Sequence, residues 1–153
     1  MNIRWPDPSY PHPSSPQAQR RMQACGQKDT GPELALRTAL FRMGLRYRID
    51  RRPIPGLRRK ADMLFRGLKV AVFVDGCFWH GCPDHATWPK ANGEYWRRKI
   101  LRNRDRDGDT DRRLAEAGWI SIRVWEHEDS TVAAERIAEV VRQRRTDAPG
   151  RGR

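Results

Sequence analysis

The stretch "LKVAVFVDGCFWHGCPDH" at residues 68–85 constrains the fold of this chain more than any other. Positions Val70 to Val74 are all apolar, which predicts a strand over 68–74 that is buried on both faces. Such a strand belongs inside a sheet with helices packed on it. Asp75 ends the strand, and the ten residues after it hold two cysteines, two histidines and a Phe-Trp pair. The sequence therefore predicts an α/β core with a chemically dense loop after an inner strand.

The flanking segments supply the other elements. Thr30 and Glu33 have capping-box spacing, Pro32 falls in the first turn and an apolar stripe follows, so a helix is predicted from here to Gly44. Strands are predicted over 45–49, 61–65 and 119–125, and helices over 92–117, with a break at Gly108, and over 130–143. This order indicates an α/β fold.

The two ends of the chain differ from its middle. Five of the eleven prolines lie in the first 30 residues, so residues 1–27 are predicted to be a flexible arm, followed by a folded domain over 28–145 and a basic tail over 146–153. The net charge of +12, with arginines interleaved among six tryptophans, predicts a nucleic-acid partner. No apolar stretch approaches the ~18 residues of a membrane span, and the N-terminus lacks a signal-peptide core. We therefore expect a cytoplasmic protein whose cysteines are ligands or thiols.

A zinc site is predicted in the dense loop. Cys77, Cys82 and His85 place three zinc-type ligands within nine residues, and a structural zinc site needs four. His127 follows the strand 119–125 and is the fourth candidate if that strand lies beside the loop, whereas His80 is the local competitor. Chance clustering is the alternative, but four of the seven Cys and His residues of the chain fall within these nine positions.

Two acids are candidates for a magnesium site. If the strands 61–65 and 68–74 pair through a two-residue turn, Asp62 lies opposite Ala71 and Asp75 lies just beyond its strand. A pair of acids in a basic protein suits a Mg²⁺-dependent phosphodiesterase, and His80 can take the proton from the attacking water. The alternative interpretation is that these are ordinary strand-end acids, paired with the nearby cations Arg58, Arg59 or Lys60.

The aromatic residues suggest a DNA contact. Phe78 and Trp79, beside metal-type ligands, suit a wedge that enters a base step, and Trp96 in the long helix can join them. For Trp96, core packing with a spacing to Ile100 fits the pattern equally well. The same helix carries cations suited to phosphate contacts, including Arg97 and Lys99, although its interspersed acids also fit an ion-paired solvent face.

The motifs "VAVFVDGCFWHGCPDH", "NGEYWRRKILRNRDRD" and "LAEAGWISIRVWEHE" together resemble the very-short-patch-repair (Vsr) mismatch endonucleases, and "GPELALRTALFRMGLRYRI" and "ADMLF" resemble the preceding segments of that family. The similarity covers roughly residues 20–140. It implies a type II restriction-endonuclease-like fold, with a central mixed sheet flanked by helices and an added structural zinc. It also implies a monomeric enzyme that nicks duplex DNA 5′ to the thymine of a T:G mismatch left by deamination of 5-methylcytosine.

The resemblance also implies roles for individual residues. Asp62 matches the catalytic Mg²⁺ ligand, and Val74 the position that offers a backbone carbonyl to the metal. His80 matches the catalytic histidine, and Glu33 an acid near it. Phe78, Trp79 and Trp96 match the wedge.

The chain departs from the family pattern at two places. Asp75 stands where some members have a second histidine, so its contribution to catalysis is an expectation of its own. The zinc ligands also differ in type and spacing: Cys77 carries over from the family, and Cys82, His85 and His127 are the best geometric fit.

Two other functions remain open from the sequence. One is a restriction-like or defence nuclease that cuts unmismatched DNA. The other is a zinc-stabilised module that bends DNA without cutting it. The trio Asp62, Asp75 and His80 argues against a pure binding module, because acids that face phosphate weaken binding and a binder has no need for them.

Overall fold

The computed structural model describes residues 15–17, 30–76 and 93–148. The long elements within these ranges are α1 (Gly31–Arg42), β1 (Arg48–Arg51), β2 (Ala61–Phe65), β3 (Val70–Asp75), α2 (Gly93–Glu116), β4 (Ile120–Trp125) and α3 (Ser130–Asp147). A short 3-10 helix, Arg66–Leu68, joins β2 to β3. The mixture of helices and strands confirms the predicted α/β class.

Local chemistry sets both ends of α1. Thr30 is the N-cap in an extended conformation, and its N–H donates to the Glu33 carboxylate at 3.3 Å. Pro32 is tolerated in the first turn because the first N–H groups of a helix have no acceptor within the helix. Gly44 then takes a left-handed φ of 81°, which glycine adopts without a steric penalty. The predicted start and stop of this helix are confirmed.

The strands form one mixed sheet in the order β1-β2-β3-β4. β1 and β2 pair antiparallel, as do β2 and β3, whereas β3 and β4 are parallel. The apolar strand β3 is therefore internal, as its sequence predicts, and the charged strand β1 lies at an edge. Because β3 and β4 are parallel, their carboxyl ends meet at one edge of the sheet, where Asp75 pairs with Trp125.

The pairing of β2 with β3 differs from the prediction. Asp62 was expected opposite Ala71, but Phe65 pairs with Val70, so the turn between these strands holds four residues instead of two. The 3-10 helix in the turn accounts for the additional residues. The shift is even, so every side chain keeps its face, and Asp62 lies two positions (~7 Å) closer to Asp75 than the predicted register allows.

Helices cover both faces of the sheet. The face under α1 and α3 holds the larger apolar cluster, which includes Leu36, Leu40, Met63, Val72, Ile122, Ile137 and Val141. The face under α2 holds a smaller cluster of Leu57, Ala61, Leu64, Ala71, Phe73, Leu114 and Trp119. This three-layer arrangement is compatible with the restriction-endonuclease-like fold that the resemblance implies.

The helix α2 is continuous, and the break predicted at Gly108 is wrong. A single glycine costs a helix about 1 kcal/mol relative to alanine. Arg112 and Arg113 both pair with Asp109, at 2.7 and 3.0 Å, and stabilise the turn that follows the glycine. The buried side of the helix also continues past this point to Leu114. None of the helices in the described ranges has the length and apolarity that crossing a membrane requires.

The last helix begins at a well-formed cap. The Asp129 carboxylate accepts the N–H groups of Thr131 and Val132 at 2.9 and 3.0 Å. The helix continues to Asp147, four residues beyond the predicted end at 143. Its inward side, with Ile137 and Val141, packs on the larger apolar cluster.

Candidate active site

Asp62 lies on β2 and its carboxylate reaches the end of β3. Its Oδ2 accepts the Val74 N–H at 2.7 Å. The backbone pairing of the two strands stops at Met63 and Val72, so the Asp62 side chain provides the acceptor for the Val74 N–H in place of a backbone carbonyl of β2. The carboxylate is thereby fixed against the last residues of the inner strand.

Glu33 brings a second carboxyl group to Asp62 from α1. Glu33 is 7% exposed, and its side chain is hydrogen-bonded to that of Asp62. Two carboxyl groups share a hydrogen bond only when one of them holds a proton. Arg37, one turn further along α1, lies 3.5 Å from the Glu33 carboxylate and partly balances its charge. The family resemblance placed Glu33 near His80, which lies outside the described residues, and the structure shows Glu33 beside Asp62.

The ionisation of Asp62 is strongly perturbed. Burial raises the pKa of Asp62 from its ordinary 3.8 to about 8, and the hydrogen bond and charge of Glu33 act in the same direction, as does the charge of Asp75. The Val74 N–H lowers this pKa because it stabilises the ionised carboxylate, but its effect is smaller. A carboxyl group in this environment marks a place where a proton or a cation balances the negative charge.

The Val74 backbone offers a second oxygen on the same side. The Asp75 carbonyl accepts the Glu126 N–H at 3.0 Å and therefore points toward β4. Successive carbonyls of a strand point to opposite sides, so the Val74 carbonyl points toward β2, from which Asp62 approaches. A carboxylate and a backbone carbonyl are hard oxygen ligands that fit Mg²⁺, which keeps several waters and binds substrate phosphate.

The other acids near Asp62 are held by protein partners. Within the ranges that the structure describes, no three His, Cys, Asp or Glu side chains are arranged to hold a metal ion together. Glu33 is hydrogen-bonded to Asp62, and Asp75 pairs with Arg123. A cation here would accordingly be held by few protein atoms, as is common for Mg²⁺ in phosphoryl-transfer sites.

Asp75 ends β3 and has a partner distant in the sequence. It is 6% exposed, and its Oδ1 lies 3.1 Å from Nη1 of Arg123 on β4. Two of the nearby cations that the sequence offered as partners for Asp62 and Asp75 have other partners in the structure. Lys60 pairs with Asp50 at 3.3 Å. Arg59, for its part, hydrogen-bonds to Thr110 and to the Arg106 carbonyl.

Arg123 is enclosed by carboxylates from two elements. Besides Asp75, it contacts Asp107 at 3.4 Å and Asp111 at 2.9 Å, both on α2. Its guanidinium also lies over the Phe73 ring, 4.3 Å from the centroid. Burial lowers the pKa of Arg123, but the hydrogen bond with Asp111 and the charges of Asp75 and Asp107 outweigh burial and raise it. The guanidinium therefore stays charged and links β3, β4 and α2.

Sequence reasoning missed Arg123, although a signal was present. In the alternating strand 119–125 it shares a face with Trp119, which is buried under α2. A cation at an inward strand position requires a buried partner, because an unpaired buried charge is costly. Asp107 and Asp111, one helical turn apart, continue the inward side of α2 and are the acids able to reach it.

Six predicted site residues fall outside the described residues, namely Cys77, Phe78, Trp79, His80, Cys82 and His85. His127 is described and lies in an exposed turn after β4, its ring stacked on Trp125 with 6.4 Å between centroids. Since β3 and β4 end at the same edge, His127 lies at the edge from which the segment beginning at Cys77 continues. This position agrees with the one assumed for His127 in the predicted zinc site, and the zinc site itself stays a prediction.

The candidate DNA contacts on α2 differ in exposure. Trp96 is 5% exposed and packs edge to face with Tyr95, 5.2 Å between ring centroids. In the absence of DNA, Trp96 is therefore buried like Ile100, as the packing alternative predicted. A wedge role would require it to become exposed on DNA. Arg97 is exposed and Lys99 is partly exposed, so both are accessible to a phosphate backbone.

A cleft of about 250 Å³ lies beside Val74, between the starts of α1 and α3. The apolar side chains of Leu36, Val74 and Val124 line it together with the acids Glu126 and Glu128. These carboxylates would repel phosphate, so we do not assign the DNA backbone to this cleft.

Comparison with known proteins identifies a family and several relatives of this chain. The family model described as DNA mismatch endonuclease Vsr matches residues 14–85. The Type II nicking enzyme V.NaeI of Lentzea aerocolonigenes is 45% identical over 135 residues, which cover 87% of this chain and 81% of the relative. The Type II nicking enzyme V.NmeDIP of Neisseria meningitidis serogroup C is 41% identical over 133 residues, covering 84% and 88%.

DNA mismatch endonuclease Vsr of Escherichia coli K12 is more distant. It is 32% identical over 111 residues, which cover 70% of this chain and 67% of the relative. The alignments with these relatives extend over most of each protein, and all three names denote enzymes that cut DNA. The chain therefore belongs to the Vsr family of DNA endonucleases.

Proposed function

We propose that this protein is a Mg²⁺-dependent mismatch nickase, which cuts one strand of duplex DNA 5′ to the thymine of a T:G pair. In this proposal Mg²⁺ binds the Asp62 carboxylate and the Val74 carbonyl. A structural zinc ion is held by Cys77, Cys82, His85 and His127.

The observation that carries the proposal is the environment of Asp62 at the end of the inner strand. Its carboxylate is oriented by the Val74 N–H at 2.7 Å, and its pKa is raised to about 8. The ionised carboxylate is therefore poorly stabilised by the protein, and a bound cation would stabilise it. Bound Mg²⁺ would stabilise negative charge on the phosphate and acidify a bound water. A DNA-bending module has no use for such a site.

The residues of this chain prepare the reaction in two ways. The hydrogen bond between Glu33 and Asp62 holds a proton that must leave when the carboxylate binds a cation. The bond from the Val74 N–H keeps the carboxylate in place after that proton has gone. His80 is the proposed general base, since an unperturbed imidazole titrates near neutral pH.

The nicking and mismatch parts of the proposal draw on the relatives. Two of the relatives described above are named Type II nicking enzymes, which supports a cut in a single strand. The Escherichia coli relative is named a DNA mismatch endonuclease, which supports a mismatched substrate. Phe78 and Trp79 are the proposed wedge that distinguishes a mismatch from a regular pair.

The zinc part draws on the order of the strands. Cys77 comes two residues after the end of β3, and His127 comes two residues after the end of β4, the neighbouring parallel strand. The described ends of β3 and β4 lie at one edge of the sheet, and a metal is able to join two segments that continue from such an edge.

The proposal is tested with an end-labelled duplex that carries one central T:G pair, its T:A counterpart, and reactions with Mg²⁺ or with chelator. We expect a Mg²⁺-dependent nick 5′ to the mismatched thymine and none in the T:A duplex. Equal cutting of both duplexes would instead support a nuclease for unmismatched DNA.

Two variants complete this test. Asp62→Ala should bind the duplex but no longer nick it, whereas Glu139→Ala, which removes an acid from an exposed pair with Arg142 on α3, should nick normally. Normal nicking by Asp62→Ala would exclude Asp62 as the metal ligand. Elemental analysis of the purified protein should give one zinc per chain, and a metal-free folded protein would remove the zinc proposal.

A further inference from the structure

Arg123 joins the helix α2 to the end of β3, which carries Val74, one of the two proposed metal ligands, and nothing in the proposed reaction yet requires Arg123. We propose that Arg123 is a positioning residue for nicking, which fixes the end of β3 relative to α2 and so holds Val74 and Asp62 in the arrangement that binds Mg²⁺. This inference rests on the proposed Mg²⁺ site.

A short series of contacts leads from α2 to Asp62. Asp111 lies 2.9 Å from Nη2 of Arg123, and Nη1 of Arg123 lies 3.1 Å from Asp75. Asp75 follows Val74 directly in the chain, and the Val74 N–H is 2.7 Å from the Asp62 carboxylate. Any movement of the Arg123 guanidinium is therefore passed through one peptide unit to the group that orients Asp62.

The guanidinium is held from several directions at once. Its Nε and Nη2 contact Asp111 at 3.2 and 2.9 Å, and its Nη1 contacts both oxygens of Asp75 at 3.1 and 3.4 Å. The Asp107 carbonyl accepts from Nη2 at 3.4 Å, and the Phe73 ring lies against the guanidinium plane at 4.3 Å. Only a planar group with several donors can satisfy partners on two elements in this way, and a lysine ammonium cannot.

Arg123 is surrounded by more negative charge than its single positive charge balances. Three carboxylates, from Asp75, Asp107 and Asp111, surround a single guanidinium. Without that cation, the Asp75 carboxylate would be repelled by the Asp107 and Asp111 side chains and would lose its attachment to α2. The end of β3 would then be free to shift by the distance of order 1 Å that is enough to impair a preorganised site.

The position of α2 gives this link a function. Near its start the helix also carries Arg97 and Lys99, the candidate DNA contacts that are accessible in the structure. A rigid connection through Asp111 and Arg123 lets the helix with the candidate DNA contacts and the end of β3 beside the proposed metal site move as one body.

A double-mutant cycle tests the proposal. We compare the wild type with Arg123→Met, Asp75→Asn and the double variant. The matched control is Arg112→Met. Arg112 is also an arginine paired with an acid of α2, 2.7 Å from Asp109, but it lies on the exposed side of the helix.

Two quantities are measured for the folded molecules of each variant. One is the Mg²⁺ concentration that half-saturates thermal stabilisation of the DNA-free protein, and the other is the single-turnover nicking rate at saturating T:G duplex.

If Arg123 acts by positioning, each single variant raises the half-saturating Mg²⁺ concentration about 10-fold and slows nicking by about 10- to 100-fold, while DNA affinity changes little. The double variant should be no worse than either single variant, because the two residues form one link. Arg112→Met should match the wild type. Arg123→Lys, which keeps the charge but cannot bridge both elements, replaces Arg123→Met if the latter does not fold.

Three results would overturn the inference. The first is a variant that is less stable yet binds Mg²⁺ normally per folded molecule, which would make the link merely structural. The second is a double variant whose losses in Mg²⁺ binding and nicking equal the sum of those of the single variants, which would mean that Asp75 acts on the metal site independently of Arg123. The third is a wild type with no stabilisation by Mg²⁺. A wild type that binds Mg²⁺ but leaves the T:G duplex intact would refute the mismatch substrate alone, since the Mg²⁺ titrations would still decide the role of Arg123.

Discussion

Replacing Asp62 by asparagine should stabilise the metal-free protein at neutral pH while abolishing nicking. Asparagine imitates a protonated aspartate, because its carbonyl oxygen can accept the Val74 N–H and its amide can donate to Glu33. The wild-type pKa rises from 3.8 unfolded to about 8 folded, so the folded protein binds more protons between these values. The contribution of Asp62 to stability is then fully present below about pH 4 and is lost as the pH rises to about 8.

The size of the effect follows from the pKa. One pKa unit corresponds to about 1.36 kcal/mol, and about three pH units separate the unfolded pKa from pH 7. The stabilisation that Asp62 contributes at low pH has therefore fallen by at most about 4 kcal/mol at pH 7. The difference in free energy of unfolding between D62N and the wild type should be small near pH 4. It should grow by up to about 1.4 kcal/mol per pH unit and level off above about pH 8.

The assay is urea unfolding in the presence of a chelator, followed by circular dichroism at several pH values between 4 and 8.5. Asp105→Asn, which removes an exposed acid from α2, is the control for net charge and should follow the wild type. Added Mg²⁺ should stabilise the wild type but not D62N, because only the wild type binds it. Parallel stability curves for the wild type and D62N would refute the argument that Asp62 is buried in its neutral form.

Three further outcomes follow from the structure. Mg²⁺ affinity, measured by calorimetry, should increase by up to about tenfold per pH unit up to about pH 8, because Asp62 must lose its proton; an affinity independent of pH would contradict this. Asp129→Ala should cost about 1 kcal/mol of unfolding free energy, because it removes the cap of α3, and an unchanged urea midpoint would contradict that. Ile137→Ala, at a wholly buried position, should cost about 2–5 kcal/mol. Val132→Ala, on the exposed side of the same helix, is its control and should change stability by less than about 0.5 kcal/mol; equal losses would contradict the assigned faces.

Local patterns predicted the elements well because their causes are local. The cap at Thr30, the glycine at Gly44 and the apolar run of β3 each act within a few residues, and the structure confirms all three. The break at Gly108 was wrong because packing along the whole of α2 outweighs the weak preference of one glycine.

Contacts between distant segments were harder to foresee. The sequence paired Asp62 with Asp75, and the charge of Asp75 does act on Asp62, but the hydrogen-bonded partner is Glu33 from α1. The partner of Asp75 is Arg123, 48 residues further along the chain. Neither pairing follows from spacing, because each depends on how a helix or a parallel strand lies against the sheet. The register error between β2 and β3 has a related cause, since a turn of two and a turn of four residues fit the same alternation.

The parallel pairing of β3 with β4 also bears on the order of events during synthesis. β1, β2 and β3 are joined by short connections and can associate while the ribosome is still making α2. The fourth strand pairs with β3 at a separation of 50 residues, from Val70 to Ile120, and such long-range parallel pairing is slow to form. A nascent chain that ends before Arg123 therefore has Asp62 and Val74 but not the strand that completes the edge beside them. The edge of the sheet that holds Asp62 and Val74 is therefore completed only once β4 has emerged from the ribosome.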